Sequence, residues 1–505
     1  MLKGFTEFSL TRRTLVPVAL IAFLGAGGLA FSRLGALSAR RCIVWSHVYW
    51  VIGLVLWSGP VSQAWGQEPQ ALFPRSPAVP TQVDVPRQLT LENAEQLLLQ
   101  NNLAVMAVRY GVDNARAQLL IAAVRPNPTL TLGAEAFDLA APGKFLFSNS
   151  TSAANRVYTV RLDQVLERGN KRGLRTQAAA SQVQAAEAQV LDTIRTQLLQ
   201  LRQAFYNAVL ARENVRVASE NLDLTNDTER LIKARVTAGD APEWDLIKFQ
   251  ANKVQFQREL AAARLAYQQA VRDVLTLLGA PFAPVAGAAT ISSVPGSALL
   301  AEAALDVVGE LHLVPVTIST SLDALRQAAL AQRPDITAAQ KAVDAAQRNL
   351  DLARAQRHRD LDVALEYQRN GADNTVGATV SFPLFLSHKF EGQINQGQAQ
   401  VQQANVMLEQ AKLQAITDVD KAYQAYQVSR QILQVYTAEA LAKAQESFRI
   451  AEKSYQRGAT SLLELQDAQR TLNQTRLAAN QAYFDYRLSL YQLEQATGQS
   501  WTQPQ

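Results

Sequence analysis

The stretch Thr129-Leu130-Thr131-Leu132-Gly133-Ala134-Glu135-Ala136-Phe137 decides the fold. In extended chain it puts Leu130, Leu132, Ala134 and Ala136 on one face and Thr129, Thr131 and Glu135 on the other. Three further stretches read the same way. Val157–Val165 alternates Tyr158, Val160 and Leu162 against Thr159, Arg161 and Asp163. Leu361, Val363, Leu365 and Tyr367 oppose Asp362, Glu366 and Gln368, and Val376, Ala378, Val380 and Phe382 oppose Thr379 and Ser381. All have roughly the length and the apolar-out, polar-in alternation of an outer-membrane strand. Taken singly, a half-buried soluble hairpin fits each as well. Charged residues on the inward side of three of the four favour a wet lumen, lined by Glu135, Arg161, Asp163, Asp362 and Glu366.

Four strands cannot close a barrel, and lipid does not tolerate an open edge. The chain is therefore expected to complete its sheet with copies of itself. About eight strands is the practical minimum. A dimer would reach it with an interior filled by side chains, whereas a trimer would reach twelve and leave a pore. Polar inward faces favour the trimer.

The strands sit inside a plan stated twice. Setting Leu91 against Leu322 also pairs Gln96 with Gln327, Leu99 with Leu330, Val112 with Val343, Asp113 with Asp344, Leu119 with Leu350 and Glu135 with Glu366. Gly239 pairs with Gly458 at a slightly shorter offset. Self-similarity over that distance is architectural. Each copy reads as helix, strand pair, very long helix, tight turn and returning helix. Thr90 and Ser321 are the expected N-caps, each with an acidic residue (Glu92, Asp323) in the turn that follows. Long helices are expected at about 167–236 and 387–456, without internal proline. Ile194, Leu201, Ala208, Val215 and Leu222 recur every seven residues in the first; Val419, Tyr426, Leu433 and Ala440 do so in the second, alongside Leu441, Phe448 and Tyr455. That is a coiled-coil seam. Seventy helical residues reach roughly 105 Å, beyond any compact domain.

The domain plan follows: a leader (1–66), a Pro-rich extended segment (67–88), a first structural repeat (89–280), a linker (281–319), a second repeat (320–498) and a short tail (499–505). Overall the fold class is mainly α with a small β part. The leader carries six cations (Lys3, Arg12, Arg13, Arg33, Arg40, Arg41) against Glu7, so the whole of the chain's formal charge of +5 lies there and the remainder is neutral. A nucleic-acid partner loses its support. Apolar runs Leu15–Phe31 and Val48–Trp57 precede Ala64-Trp65-Gly66, which fits signal-peptidase cleavage after Gly66. A pair of membrane helices is the alternative. The single cysteine, Cys42, would leave with the leader, which excludes disulfides and thiol chemistry from the mature chain.

At this point the residues resemble a known family. The duplicated plan over residues 88–498 is similar to the TolC-type outer-membrane efflux proteins. Two turns carry most of the likeness: Ala238-Gly239-Asp240-Ala241-Pro242-Glu243-Trp244-Asp245-Leu246 and Tyr455-Gln456-Arg457-Gly458-Ala459-Thr460-Ser461-Leu462-Leu463-Glu464-Leu465. A glycine followed by a helix with acids in its first turns suits a helical hairpin, which reverses through a left-handed residue. Asp163-Gln164-Val165-Leu166-Glu167-Arg168-Gly169-Asn170-Lys171-Arg172 resembles the post-strand segment of the family's heavy-metal (cobalt–zinc–cadmium) branch, whose usual form is Gly-Gly-Lys-Arg. Phe382-Pro383-Leu384-Phe385 resembles the strand-to-helix swivel of the second copy.

The resemblance implies a homotrimeric tube: a twelve-stranded barrel in the outer membrane of a Gram-negative bacterium, continued by a helical barrel across the periplasm. The short helices would stack in pairs, about 103–125 above 243–278 and about 334–357 above 462–497. The Gly239 and Gly458 turns would meet a periplasmic adaptor, itself joined to an inner-membrane pump, expected to be of the RND type. The family's tip gate maps onto Tyr455, with Asp245 as its cross-hairpin partner, and its acidic entrance ring onto Glu464 and Asp467. Thr460 stands where the family has an arginine, with Arg457 nearby as a substitute, so the implied gate closes less tightly than in the family's best-known members. A seam residue is the plainer reading of Tyr455, and a solvated helix face that of each carboxylate.

Nothing in the sequence asks for an enzyme. No Gly-rich phosphate loop, zinc-protease motif or serine elbow occurs, and His312, His358 and His388 are scattered. His358, within Arg357-His358-Arg359-Asp360, reads as part of an interfacial cation belt. No cofactor and no tight metal site is expected; a metal cargo would be conducted, not held. The expected function is a passive exit duct for a three-part efflux system, with divalent metals as one cargo class. The same duct for drug efflux or type I protein secretion is the neighbouring alternative, and an exported coiled-coil scaffold without a pore is the distant one.

Overall fold

A computed structural model describes residues 85–135, 157–280, 306–312, 315–371, 373–387 and 389–499. The leader, nearly all of the Pro-rich segment, Ala136 and Phe137, the start of the linker, His388 and most of the tail lie outside the described residues. The elements run β1 (Gln88–Leu89), α1 (Leu91–Asn101), α2 (Leu103–Ala123), β2 (Thr129–Glu135), β3 (Val157–Leu166), α3 (Lys171–Thr237) and α4 (Glu243–Leu277). Then come β4 (Asp306–Val307), α5 (Leu322–Gln332), α6 (Pro334–Ala355), β5 (Leu361–Asn370), β6 (Asp373–Ser381) and α7 (Glu391–Val435). A π-helical turn (Tyr436–Ala440), α8 (Leu441–Gln456) and α9 (Leu462–Thr497) complete the chain. Among the described residues no helix is long and apolar enough to cross a membrane.

The four long strands form one antiparallel sheet in the order β2-β3-β5-β6. Its register sets Leu130 opposite Leu162, Leu162 opposite Leu365 and Leu365 opposite Ala378. Leu132, Val160, Tyr367 and Val376 make the next row. Both rows lie on one face, as the alternation expects, and both are open: Leu132 is 71% exposed and Val376 82%. The opposite face carries the row Thr131, Arg161, Glu366 and Gly377. Within the chain β2 and β6 each have a neighbour on one side only.

Helix α3 is 67 residues long, roughly 100 Å. Its expected seam holds over Leu201 and Ala208, which are fully buried. Beyond them Val215 and Leu222 are only half-buried, and the buried face passes to Val217, Asn221, Thr225 and Ile232. A straight helix drifts about 20° per heptad, and here it also changes neighbours. Leu201 packs in the core shared with α1, the end of α4 and β4, whereas Ile232 packs in a second core with Phe249, Phe448 and Leu465. The second long helix departs from its expected form in a telling way. Val419, Tyr426 and Leu433 are buried at heptad spacing, and so are Phe448 and Tyr455, but one residue out of phase. The π turn inserts that residue between the two runs. Ala440 and Leu441, the overlapping members, are each only half-buried.

The short helices stack end to end. Asn102, 4% exposed, accepts from Val105 N–H at 3.0 Å to cap α2 and donates to Leu277 O at 2.8 Å, tying α2 to the last turn of α4. Arg333, 3% exposed, occupies the like place between α5 and α6 and binds Asp335 at 2.7 Å and Asp418 of α7 at 3.0 Å. Burial opposes ionisation of the Asp335 carboxyl, but the Arg333 guanidinium outweighs it and holds the group below its ordinary value. A depressed carboxylate stabilises above its unfolded pKa and loses that contribution as pH falls through the folded value. Stability from this pair should therefore stay flat from pH 7 to 5 and fall only below about pH 4. Arg333→Gln, which leaves Asp335 to Arg195 and the Ile336 N–H and Asp418 to Gln414, should cost about 1.5–3 kcal/mol by thermal unfolding.

What is described of the linker is strapped to the helices. β4 pairs in parallel with β1, and Arg212 of α3 donates to Val307 O at 2.6 Å and Gly309 O at 2.9 Å. Further on, the Tyr486 hydroxyl accepts from Val316 N–H at 2.7 Å and the Tyr426 hydroxyl accepts from Ile318 N–H at 3.1 Å.

Strand-to-helix reversal is made by Gly169 (φ 73°) and Asn170 (φ 55°), two successive left-handed residues before α3. Asparagine is among the few residues with a side chain that tolerate this conformation, which explains how it stands where the heavy-metal branch has a second glycine. At Gly169 no side chain fits, since a Cβ would lie 2.7 Å from the His358 ring. Gly169→Ala should lower stability by at least about 2 kcal/mol, from backbone strain and that clash, while Asn170→Gly should stay within about 0.5 kcal/mol in the same melting experiment.

Candidate functional site

The two helical hairpins, α3–α4 and α8–α9, end at one level and share the apolar cluster of Ile232, Phe249, Phe448, Tyr455 and Leu465. Both turns use the same device. Gly239 (φ 80°) donates to Val236 O at 3.1 Å and Asp240 N–H to Arg235 O at 2.9 Å. Gly458 (φ 74°) donates to Tyr455 O at 3.0 Å and Ala459 N–H to Ser454 O at 2.9 Å. This double bond pattern closes a helix through a left-handed glycine. The returning helices then start differently. Pro242 precedes α4, with Glu243 and Asp245 in its first turn, while the Ser461 hydroxyl accepts from Glu464 N–H at 3.3 Å to open α9.

Tyr455 is 3% exposed. The guanidinium of Arg235, in the last turn of α3, lies 5.0 Å from its ring centre. Arg235 also donates to Tyr455 O at 3.2 Å and Asp240 O at 3.3 Å, so one side chain clamps both turns. Burial pushes the Tyr455 phenol above its ordinary value; Arg235 opposes the rise and Asp245 adds to it. The phenol is therefore neutral at physiological pH. Among the expected gate residues the structure brings Tyr455 and Asp245 close, with Asp245 half-buried. Arg457 is exposed and Thr460 half-buried; among the described residues neither side chain bonds to Tyr455. The arginine that does, Arg235, was missed by sequence reasoning, which looked only near Gly458. A cation in the last turn of a helix, where the dipole favours it, was the available signal.

Glu464 and Asp467 are exposed on α9 and, among the described residues, make no ion pair. Behind the cluster a polar layer joins the hairpins. Gln469, 2% exposed, donates to Asn221 Oδ1 at 2.7 Å and Thr225 Oγ1 at 3.1 Å. Buried amides of this kind fix which residues face one another along a helix pair.

At the other end, the expected lumen residues share one sheet face. Arg161 binds Asp163 at 2.7 Å and Glu366 at 3.7 Å. Asp362 lies opposite Val165 and Ser381, and Glu135 ends β2 opposite Val157. No group of carboxylates and histidines able to hold a metal ion occurs among the described residues.

The description of the outer membrane efflux protein family matches residues 95–280 and 325–499. The chain belongs to this family. Among curated relatives, the cobalt-zinc-cadmium resistance protein CzcC of Cupriavidus metallidurans is 26% identical, over 80% of this chain and 87% of that protein. The pyoverdine export outer membrane protein OpmQ of Pseudomonas aeruginosa is 28% identical, over 80% and 84%. Among solved structures, the outer membrane protein VceC of Vibrio cholerae superposes with a TM-score of 0.62 at 19% identity, covering 82% of this chain and 97% of that one. The open apolar rows of the sheet and the two hairpin turns lie at opposite ends of the long helices.

Proposed function

We propose that three copies of this chain close a twelve-stranded barrel in the outer membrane and a helical tube below it. The tube serves as the passive exit duct of a three-part efflux system. One observation carries the reading: a four-stranded sheet with exposed apolar rows on one face, a charged row on the other, and two edges unpaired within the chain. Because β2 and β6 run in opposite directions, β6 of one copy meets β2 of the next antiparallel, and the ring closes without an edge. The internal repeat, residues 89–280 and 320–498 about the linker at 281–319, is supported by the like placing of Asn102 and Arg333. Gly279 and Gly498 support it too, both at φ 74°, one against Asn101 and the other against Gln332.

At the tip, Tyr455, Arg235 and Asp245 form the gate within each copy, with Thr460 and Arg457 facing the next. Gly239 and Gly458 meet the adaptor, which links the duct to an inner-membrane pump of the RND type. Glu464 and Asp467 form the entrance ring, where three copies concentrate cations. Replacing both with their amides should lower the cation-over-anion permeability ratio several-fold in planar bilayers. Divalent heavy-metal cations are the proposed cargo, on the likeness to CzcC. The likeness to OpmQ favours a small organic cargo as the second reading.

Heat-resistant trimers in outer-membrane fractions together with bilayer conductance test the duct; a monomeric, water-soluble rod would refute it. Deleting the gene and screening metals, solvents and antibiotics for new sensitivity tests the cargo.

A further inference from the structure

We propose that the outer rim of the sheet-to-helix junction binds an anionic phospholipid, through Arg357, Arg359 and Lys389 set beside the apolar step Phe382, Leu384 and Leu386. This rests on the membrane-barrel reading above.

Phe382 follows Val380 at a spacing of two and so continues the apolar face of β6 toward the helices. Arg359, two residues before Leu361, stands on the same face, with its guanidinium 5.9 Å from the Phe382 ring centre and 5.7 Å from that of Phe385. Arg357 donates from Nε to Lys389 O at 3.1 Å, which brings the other two cations together. Beyond Pro383 the chain turns tightly, Leu386 N–H donating to Leu384 O at 3.0 Å, and presents both leucines outward. Leu384 is 61% exposed and Leu386 86%.

The charges are uncompensated. Among the described residues none of the three cations makes an ion pair. The adjacent carboxylate, Asp360, is taken by Lys171 at 2.8 Å and by Arg168 N–H at 2.8 Å. Leucines this open are out of place in water, and three cations are out of place in hydrocarbon. The border between the two suits both: acyl chains cover the step while a phosphate meets the guanidinium groups. A zwitterionic lipid would satisfy the step alone, whereas an anionic one also uses the charge.

The test is a titration of the full-length trimer in detergent with phosphatidylglycerol, phosphatidylcholine and inorganic phosphate, followed by native mass spectrometry and by heat resistance of the trimer. Phosphatidylglycerol should bind more tightly than phosphatidylcholine, with preference falling about fivefold for each cation removed and shrinking at high salt. The triple variant Arg357→Gln, Arg359→Gln, Lys389→Gln should remain a conducting trimer without the preference, and Arg359→Lys should keep most of it. Three results overturn the site: equal binding of the two lipids by the unaltered protein, displacement of the lipid by inorganic phosphate at like concentration, or dissociation of the triple variant into protomers. The last would make the patch a contact between copies. Conductance of the same preparation separates the two proposals. A conducting trimer with no lipid preference sinks this site alone, and a sample that neither conducts nor prefers the lipid sinks both.

Discussion

Leu132→Lys combined with Val376→Lys should abolish the assembled channel while leaving the isolated fold intact. The two side chains lie in one row of the sheet, 71% and 82% exposed in the protomer. In water such positions tolerate lysine within about 0.5 kcal/mol, because nothing packs on them. In lipid each lysine near the bilayer midplane costs roughly 2–4 kcal/mol, and a trimer would carry six. Heat-resistant trimers in the outer-membrane fraction should fall at least tenfold, and conductance with them. Thr131→Lys with Thr375→Lys, on the opposite face, is the control and should assemble normally. Equal behaviour of the two pairs would show that neither face meets lipid.

The sequence displayed this sheet well because a period of two is fixed by the backbone. Among the described residues each strand's polar and apolar sets fall on the faces expected; β3 and β5 keep their expected starts and run one or two residues further, and β6 runs from Asp373 to Ser381, ending before Phe382 and Pro383. The long helices were equally plain from their length and lack of proline. Their seams were less so. A heptad count assumes one partner and an unbroken helix, but α3 exchanges its neighbours along its length and the second helix absorbs an extra residue at Tyr436–Ala440. The candidate gate was half visible. Tyr455 and Asp245 could be placed from their turns, whereas Arg235 comes from the end of a different helix; its place in a last helical turn is a local signal, but its pairing with a second helix end remote in sequence is not. For the same reason the linker's attachment through Tyr426 and Tyr486 was invisible: a tyrosine in a heptad seam looks like core until its hydroxyl is seen to hold a main chain.

Arg235→Gln should shorten the closed dwell time of the reconstituted channel by at least about tenfold. The guanidinium makes two hydrogen bonds to carbonyl oxygens, one on each turn, and stacks on the ring of Tyr455. A charged hydrogen bond contributes about 1.5–3 kcal/mol, so losing the clamp in each of three copies removes well over one tenfold step from the closed state. Tyr455→Phe should do much less, because the ring and the main-chain oxygen both remain and only the phenol is lost. That ordering separates a clamp on the backbone from a lock made by the hydroxyl. Thr460→Arg probes the contact between copies instead. In the proposed trimer an arginine there, able to reach Asp245 of the neighbouring copy, should lengthen the closed dwell. Closed times unchanged in Arg235→Gln would move the gate away from these turns. A long-lived, nearly sealed state in the unaltered trimer would show that the threonine costs the closed form nothing.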